Sequence, residues 1–407
     1  MRVLRVLYIG DLNLKGGGAQ KHTFYTINCI AKEFDVLMYI IGEPSPESLS
    51  LIEKNEINYI IVKKPSYRHL KKICLTKNIK IIMLQWENPQ WITMAYKLNK
   101  EIGTQYIVFL HEIPIIGTPV KAFTRNFLAE VLVRMLIQVT GYPKRIAEFL
   151  SFLYQVYLVY KGIYRASGVL AISPASAFYI QTYFPNLKNY LTLKIPNGVD
   201  ITLIEDLLKS KIDFRYDISF MAARLDPKKG MLDLLEVVYR VNQKMMNDLG
   251  RDVKVVVLGR FTDERTKLLF LRRSKELGVL KNIDILGYLP EKEKFKVLCS
   301  TRVFLYPSTK DCFSISLIEA MACGCPAVVY ELPFAKQFRT DALFRVKYKN
   351  LDSMAAVTAD ILMLSYKQEE KYLSLRRRAM NFARQFTWDK VCENEIQTLK
   401  YMLTKLK

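Results

Sequence analysis

Asp217-Ile218-Ser219-Phe220-Met221-Ala222-Ala223-Arg224-Leu225-Asp226-Pro227-Lys228-Lys229-Gly230 is the stretch on which the fold turns. Asp217–Met221 reads as a buried strand, the residues to Gly230 as a basic turn, and the text beyond as a helix. Upstream, short apolar runs alternate with helical text at Val3–Ile9, Val36–Ile41, Tyr59–Val62, Ile79–Leu84, Tyr106–Leu110 and Val169–Ile172. Downstream the rhythm restarts at Ile218–Ala222, Val253–Leu258, Ile283–Leu286, Val303–Tyr306 and Ala327–Tyr330. Runs rich in Val and Ile, separated by helices, suit parallel strands buried on both faces. Two such series predict two doubly wound α/β domains. Turn residues at Ile195-Pro196-Asn197-Gly198-Val199-Asp200 mark the break, giving domains over 1–200 and 201–385.

The chain of 407 residues suits two domains, and 50% hydrophobic with 25% charged residues excludes disorder. The net charge of +22 is high, but residues 1–195 hold 24 Lys/Arg and 12 Asp/Glu, and the rest is also basic. With no basic arm or clustered patch, a nucleic-acid binder is disfavoured. The excess fits a solvated surface or a membrane-facing one. Seven cysteines without repeated spacing read as reduced thiols of a cytoplasmic protein. The start of the chain lacks a signal peptide's apolar stretch, and the longest uncharged apolar run, Phe149–Tyr160, is too short to span a bilayer.

Ile115–Ser167 breaks the alternation with apolar-aromatic helical text. Lys121, Arg125, Arg134, Lys144, Arg145, Lys161 and Arg165 face only Glu130 and Glu148. Two readings fit: a helix lying in a membrane interface, or a buried helical insertion of the first domain.

Three places carry chemistry. The first strand is followed by Gly16-Gly17-Gly18, which lets backbone N–H groups approach an anion but is neither G-x-G-x-x-G nor a P-loop. A tight turn is the plain alternative. Arg224 and Lys229 lie between a strand's carboxyl end and a helix's amino end, where open α/β sheets bind ligands, and together suit a diphosphate. In Pro307-Ser308-Thr309-Lys310-Asp311-Cys312-Phe313-Ser314-Ile315-Ser316-Leu317-Ile318-Glu319-Ala320-Met321-Ala322-Cys323-Gly324-Cys325-Pro326, a helix is predicted from near Ser314 to Gly324. Asp311 then lies in the loop and Glu319 in the helix, each able to accept sugar hydroxyls. The amides of Phe313, Ser314 and Ile315 stand at the helix start, open to an anion.

Asp311-x7-Glu319 with its flanking residues resembles the E-x7-E region of glycosyltransferase family 4. So do Arg224-x4-Lys229-Gly230, Pro196-Asn197-Gly198-Val199-Asp200 and the glycine loop. His111-Glu112-Ile113-Pro114, Leu286-Gly287-Tyr288-Leu289-Pro290 and Phe386-Thr387-Trp388 are similar to further motifs of that family, so the likeness spans nearly the whole chain. It implies a GT-B fold: two Rossmann-like domains facing a central cleft, with a closing helix over 386–407 that crosses back to the first domain. It also implies a UDP- or GDP-linked sugar as co-substrate, with no separate cofactor. Carried over, Arg224 and Lys229 bind the diphosphate and Glu319 the ribose. Asp311, Phe313, Ser314 and Ile315 hold sugar and phosphate. Gly17 and Gly18 close on the phosphates, Asn197 belongs to the donor-binding set, and His111 stands by the sugar. Asp311 departs from the usual Glu and is one methylene shorter; Phe313-Ser314-Ile315 replaces Phe-Gly-Leu-like text.

The resemblance further implies retention of anomeric configuration. A retaining glycosidase would set two carboxylates about 5–5.5 Å apart; no nucleophile is evident here, so a same-face displacement is expected. The absence of any Asp-x-Asp and the Arg224/Lys229 pair predict no metal. The acceptor is expected to be a glycan or lipid-linked, with membrane contact through 115–167 as one option. Two alternatives remain: another GT-B enzyme such as an epimerase, and a non-catalytic nucleotide-sugar binder.

Overall fold

In a computed structural model the described residues are 4–14, 17–111, 157–209 and 213–405. Most of the expected insertion at 115–167 lies outside them, as do Gly16 and Glu112, Ile113 and Pro114. Residues 157–165 are helical. Among the described residues no helix is long and apolar enough to cross a membrane.

The chain divides into two units. The first comprises Met1–Pro196 with Cys392–Lys407, and the second Asn197–Val391. In the first, strands β1 (Arg5–Gly10), β2 (Asp35–Ile41), β3 (Asn58–Val62), β4 (Ile81–Leu84), β5 (Gln105–Leu110), β6 (Gly168–Ala171) and β7 (Tyr190–Thr192) form one sheet. Its order is β3-β2-β1-β4-β5-β6-β7, and every pairing is parallel. In the second, β8 (Tyr216–Leu225), β9 (Val255–Phe261), β10 (Ile283–Gly287), β11 (Thr301–Tyr306), β12 (Ala327–Tyr330) and β13 (Leu343–Val346) pair in parallel in the order β10-β9-β8-β11-β12-β13.

Composition explains the layering. β4 and β6 are buried along their whole length, as helices on both faces of a parallel sheet require. The connecting helices start where the sequence offers an oxygen: Ser45, Ser66, Asn88 and Ser173 each accept a first-turn N–H, and proline follows Ser45, Asn88 and Ser173. The last helix, Trp388–Thr404, supplies Leu399 and Met402 to the core formed by Val6, Tyr8, Ile27 and Ile30. Gly168 permits this approach, since a Cβ there would stand 2.2 Å from Met402 Sδ.

One cysteine expectation is corrected. Cys29, on the first helix, and Cys392, on the last, form a disulfide with Cα atoms 5.9 Å apart. The backbone brings together two thiols far apart in sequence, which spacing along the chain cannot show. Cys74, Cys299, Cys312, Cys323 and Cys325 are free and buried.

Candidate active site

In each sheet the chain lays strands outward on one side of the first strand and then returns to its other side. These switch points lie between β8 and β11 in the second unit and between β1 and β4 in the first. Open α/β sheets leave a crevice at such a point, because the loops leaving the two strands diverge.

In the second unit β8 runs to Leu225, beyond the expected end at Met221, with an irregularity in its register with β9 between Met221 and Arg224. Arg224 therefore sits within the end of the strand and not in the turn. It is exposed and makes no ion pair with any described residue. The turn that follows is capped by Asp226, whose carboxylate accepts the Lys229 N–H at 3.0 Å. Gly230 then adopts φ 82°, with its Cα face against Pro307: a Cβ would stand 2.0 Å from the Pro307 carbonyl oxygen. The Lys228 carbonyl accepts the Thr309 N–H at 2.8 Å and the Thr309 hydroxyl at 2.9 Å. The loops leaving β8 and β11 are thus one hydrogen-bonded body.

That body aims its charges. Lys229 Nζ lies 3.0 Å from Asp311 Oδ2, and the Tyr306 hydroxyl donates to the same oxygen at 2.7 Å. Asp311 Oδ1 accepts the Cys312 N–H at 3.0 Å. Both carboxylate oxygens are engaged, so Asp311 holds Lys229 in place. Burial, and then Asp311, push the Tyr306 hydroxyl well above its usual range, which keeps it a donor.

The helix expected from Ser314 to Gly324 runs Ile315–Ala322; Ser314 Oγ caps it through the Leu317 N–H at 3.2 Å. Gly324 closes it at φ 85°. The Ile315 and Ser316 amides lie in the first turn, where a helix supplies no acceptor. The Phe313 ring is wedged against Phe338 and Phe386, at 5.3 and 5.7 Å between centroids. It fixes the loop, which leaves the backbone to meet a ligand.

Glu319, on this helix, is buried and pairs with Lys294 Nζ at 2.8 Å. Lys294 was not singled out in sequence. It stands in helix Glu291–Cys299, directly after the Leu286–Pro290 turn, and that adjacency was the available signal. Arg376 was also missed. It is 1% exposed and donates to the carbonyls of Cys323 at 2.9 Å, Thr301 at 3.0 Å and Cys299 at 3.4 Å. One guanidinium therefore caps the carboxyl ends of the two helices that bear Lys294 and Glu319, where a cation is favoured.

Asn197 is buried in a seam between two stretches that are distant in sequence. Val199 bridges Thr387 and donates to the Phe386 carbonyl at 2.9 Å. A Cβ at Gly198 would meet the Trp388 backbone at 2.7 Å.

In the first unit, Gly17 (φ 142°) precedes the helix Gly18–Glu33. Gln85, at the end of β4 and fully buried, organises the loop. Its amide accepts the Asp11 N–H at 2.6 Å and donates to the Asp11 carbonyl at 2.9 Å and to Thr23 Oγ1 at 2.7 Å. A Cβ at Gly10 would strike its Oε1 at 2.5 Å, so Gly10 and Gln85 are fitted to each other. Sequence gave no sign of Gln85. His111 follows β5; its N–H donates to Glu87 Oε2 at 2.8 Å. Its Nε2 is buried without a partner among the described residues. Burial first, and then neighbouring His22, lower the His111 ring to about 3, against an opposing hydrogen bond to the Gln85 backbone. The ring is neutral at pH 7.

Arg224, Lys229, Asp311, Phe313–Ile315 and Glu319 thus belong to adjoining loops and helices of the second unit. In the first unit, Gly17 and Gly18 follow β1 at the switch point, whereas His111 follows β5, two strands away from β1 in the sheet. Among the described residues no group of three or more His, Cys, Asp or Glu side chains is gathered as a metal ion would need.

Residues 205–382 match the family described as glycosyl transferases group 1. The phosphatidyl-myo-inositol mannosyltransferase of Mycobacterium leprae (strain TN) is 24% identical over 218 residues, 52% of this chain and 54% of that protein. The O-antigen chain mannosyltransferase B of Escherichia coli is 27% identical over 121 residues, 30% of each. The chain thus spans about half of the length of one of these curated relatives, at 54%, and under a third of the other, at 30%. Among solved structures, Alr3699/HepE of Anabaena in complex with UDP aligns over 98% of this chain and 100% of that one. It does so with TM-score 0.70 at 16% identity. The fold is that of the GT-B glycosyltransferases: two parallel sheets with flanking helices.

Proposed function

Starting from a GT-B chain whose second unit is a glycosyl transferases group 1 relative, we propose that this protein transfers a sugar from a nucleoside-diphosphate sugar to an acceptor hydroxyl. The observation that carries this reading is the convergence at the β8/β11 switch point. An unpaired arginine ends β8, a lysine steered by Asp311 stands in the loop that is hydrogen-bonded to the loop leaving β11, and the helix after β11 offers open first-turn amides and a buried carboxylate. A diphosphate needs the first three, and a ribose diol suits the fourth.

The roles follow from the chemistry. Arg224 is free to form a forked contact with the diphosphate, and Lys229 adds a fixed point charge. The Ile315 and Ser316 amides, with those of Phe313 and Ser314 beside them, take the remaining phosphate oxygens. Glu319, paired with Lys294, accepts the ribose hydroxyls. Asp311 acts by orienting Lys229, which differs from the direct sugar contact implied by resemblance. His111, neutral, offers Nε2 as an acceptor to a sugar hydroxyl. Gly17 and Gly18 are phosphate-facing candidates, and Asn197 supports the donor site from its seam.

Transfer proceeds with retention. The bond from the anomeric carbon to the diphosphate oxygen breaks, and the acceptor oxygen bonds to the same face of that carbon. The acceptor's proton passes to the departing phosphate. Arg224, Lys229 and the helix start stabilise the charge that develops on the leaving group, so the step is proposed to need no metal.

The relatives named as mannosyltransferases support a hexosyl donor, and the name of one supports a phospholipid-linked acceptor. A membrane-surface site of action, with contact through 115–167, belongs to the same reading. The test is release of nucleoside diphosphate from UDP- and GDP-linked hexoses in the presence of lipid or glycan acceptors. Acceptor-dependent release supports transfer. Binding without release from any donor would favour the alternative of a nucleotide-sugar binder.

A further inference from the structure

His22 and Glu395 lie in the first unit, both wholly buried. No sequence motif singled them out. His22 Nδ1 stands 2.9 Å from the Pro196 carbonyl oxygen, and Nε2 stands 2.8 Å from Glu395 Oε2. A carbonyl can only accept, so Nδ1 carries a hydrogen. A carboxylate on the other side calls for a second N–H. A ring that donates from both nitrogens is the imidazolium, and a carbonyl on one side with a carboxyl group on the other is a setting that suits it. Glu395 comes from the last helix, Trp388–Thr404, and the Cys29–Cys392 disulfide joins the same two helices.

The next ring is His111. Its centroid lies 5.6 Å from that of His22, at an interplanar angle of 82°. The other ionisable groups among the described residues here are Glu87 and Tyr8. Glu87 accepts the His111 backbone N–H, and the Tyr8 hydroxyl meets Thr23 Oγ1 at 3.3 Å. The His111 ring hydrogen-bonds the Gln85 backbone, and its Nε2 is the buried polar atom left over.

We propose that Glu395 and His22 are positioning residues for His111: the carboxylate holds His22 as an imidazolium, and that charge fixes His111 as a neutral ring whose Nε2 accepts a hydrogen bond and delivers no proton. This rests on the reading that His111 faces the transferred sugar. It adds the direction of that hydrogen bond: Nε2 meets a donor hydroxyl of the substrate. It also gives the last helix a share in the chemistry. A buried cation needs its counter-charge to persist, and Glu395 is that counter-charge.

The test uses the full chain and its three histidines, whose imidazole nitrogens give a small set of NMR correlations. Signals are assigned with His69→Gln, a change away from this cluster. In the wild type between pH 5 and 8, His22 is expected to show two protonated nitrogens, and His111 one protonated and one bare nitrogen. In Glu395→Gln, His22 is expected to lose a proton near neutral pH, and the His111 midpoint to rise by at least one pH unit. The acid limb of kcat/KM should rise with it. A neutral His22 in the wild type at pH 7, or a His111 midpoint unmoved by Glu395→Gln, would overturn the proposal. If the variant does not fold, the wild-type His22 pattern alone decides. These spectra do not depend on turnover, so failure of the transferase reading and failure of this pairing are told apart.

Discussion

Lys229 Nζ and Asp311 Oδ2 stand 3.0 Å apart at the adjoining ends of β8 and β11, and the Tyr306 hydroxyl fixes the same oxygen from below. The pair links two loops, and Arg224 is exposed at the end of the strand that leads into the first of them. Arg224 and Lys229 should therefore fail differently when changed. Arg224→Ala removes an unpaired side chain, so kcat/KM should fall about a hundredfold to a thousandfold. Its melting temperature should stay at the wild-type value. Steady-state kinetics beside a thermal melt check this; a stable variant of full activity would exclude Arg224 from the site.

Asp311→Asn should act through Lys229. The amide keeps the Tyr306 and Cys312 contacts in part but loses the charge that orients the ammonium. Nucleotide affinity should weaken about tenfold, less than for Arg224→Ala, and Asp311→Glu should recover part of it. Calorimetric titration of the three proteins ranks them; an Asp311→Asn chain that binds as the wild type does would remove the steering role.

Lys294→Met removes the ammonium 2.8 Å from Glu319, whose side chain is only 5% exposed. Breaking such a pair costs about 3–5 kcal/mol in stability. The double change Lys294→Met with Glu319→Gln should recover much of that stability while nucleotide binding stays lost. Urea unfolding of the single and double variants provides the comparison.

Gly230→Ala places a Cβ 2.0 Å from the Pro307 carbonyl at φ 82°. Backbone strain of this kind costs about 1–3 kcal/mol, and the clash adds to it. The β8 and β11 loops must part, so affinity should fall together with stability. The Gly278→Ala change is the control, because no atom stands within 4 Å of its Cβ position.

The fold was legible because parallel strands buried on both faces write themselves as apolar runs. Eleven runs in the sequence correspond to strands, and the two that escaped are edge strands. Tyr190-Leu191-Thr192 is only three residues long, and Leu343-Phe344-Arg345-Val346 carries a charge at a position exposed by the edge. Arg224, Lys229 and Glu319 could be singled out as candidates because their spacing follows local strand-turn-helix geometry. Gln85, Lys294 and Arg376 could not, because each works through partners brought near only by the sheet order. The same holds for Cys29 with Cys392 and His22 with Glu395. Asp311 was visible but its partners were not: sequence shows a carboxylate in a loop, and only packing shows that both its oxygens are hydrogen-bonded.

Acid should expose His111. Its folded value of about 3 lies below the ordinary 6.5, so between these the unfolded chain binds a proton that the folded chain does not. Stability therefore falls as pH drops from 6.5 toward 3, by up to about 1.4 kcal/mol per pH unit from this group. His111→Asn should flatten that slope in a denaturant series across this range; an unchanged slope would place the acid sensitivity elsewhere.

The central claim is that the second unit binds a nucleoside diphosphate through the β8/β11 loop body. Isothermal titration of UDP and of GDP into the wild-type chain and into Arg224→Ala tests it most directly. The account predicts saturable one-to-one binding of at least one nucleotide to the wild type, and affinity at least tenfold weaker in Arg224→Ala. Binding of neither nucleotide, or equal affinity in both proteins, would contradict it.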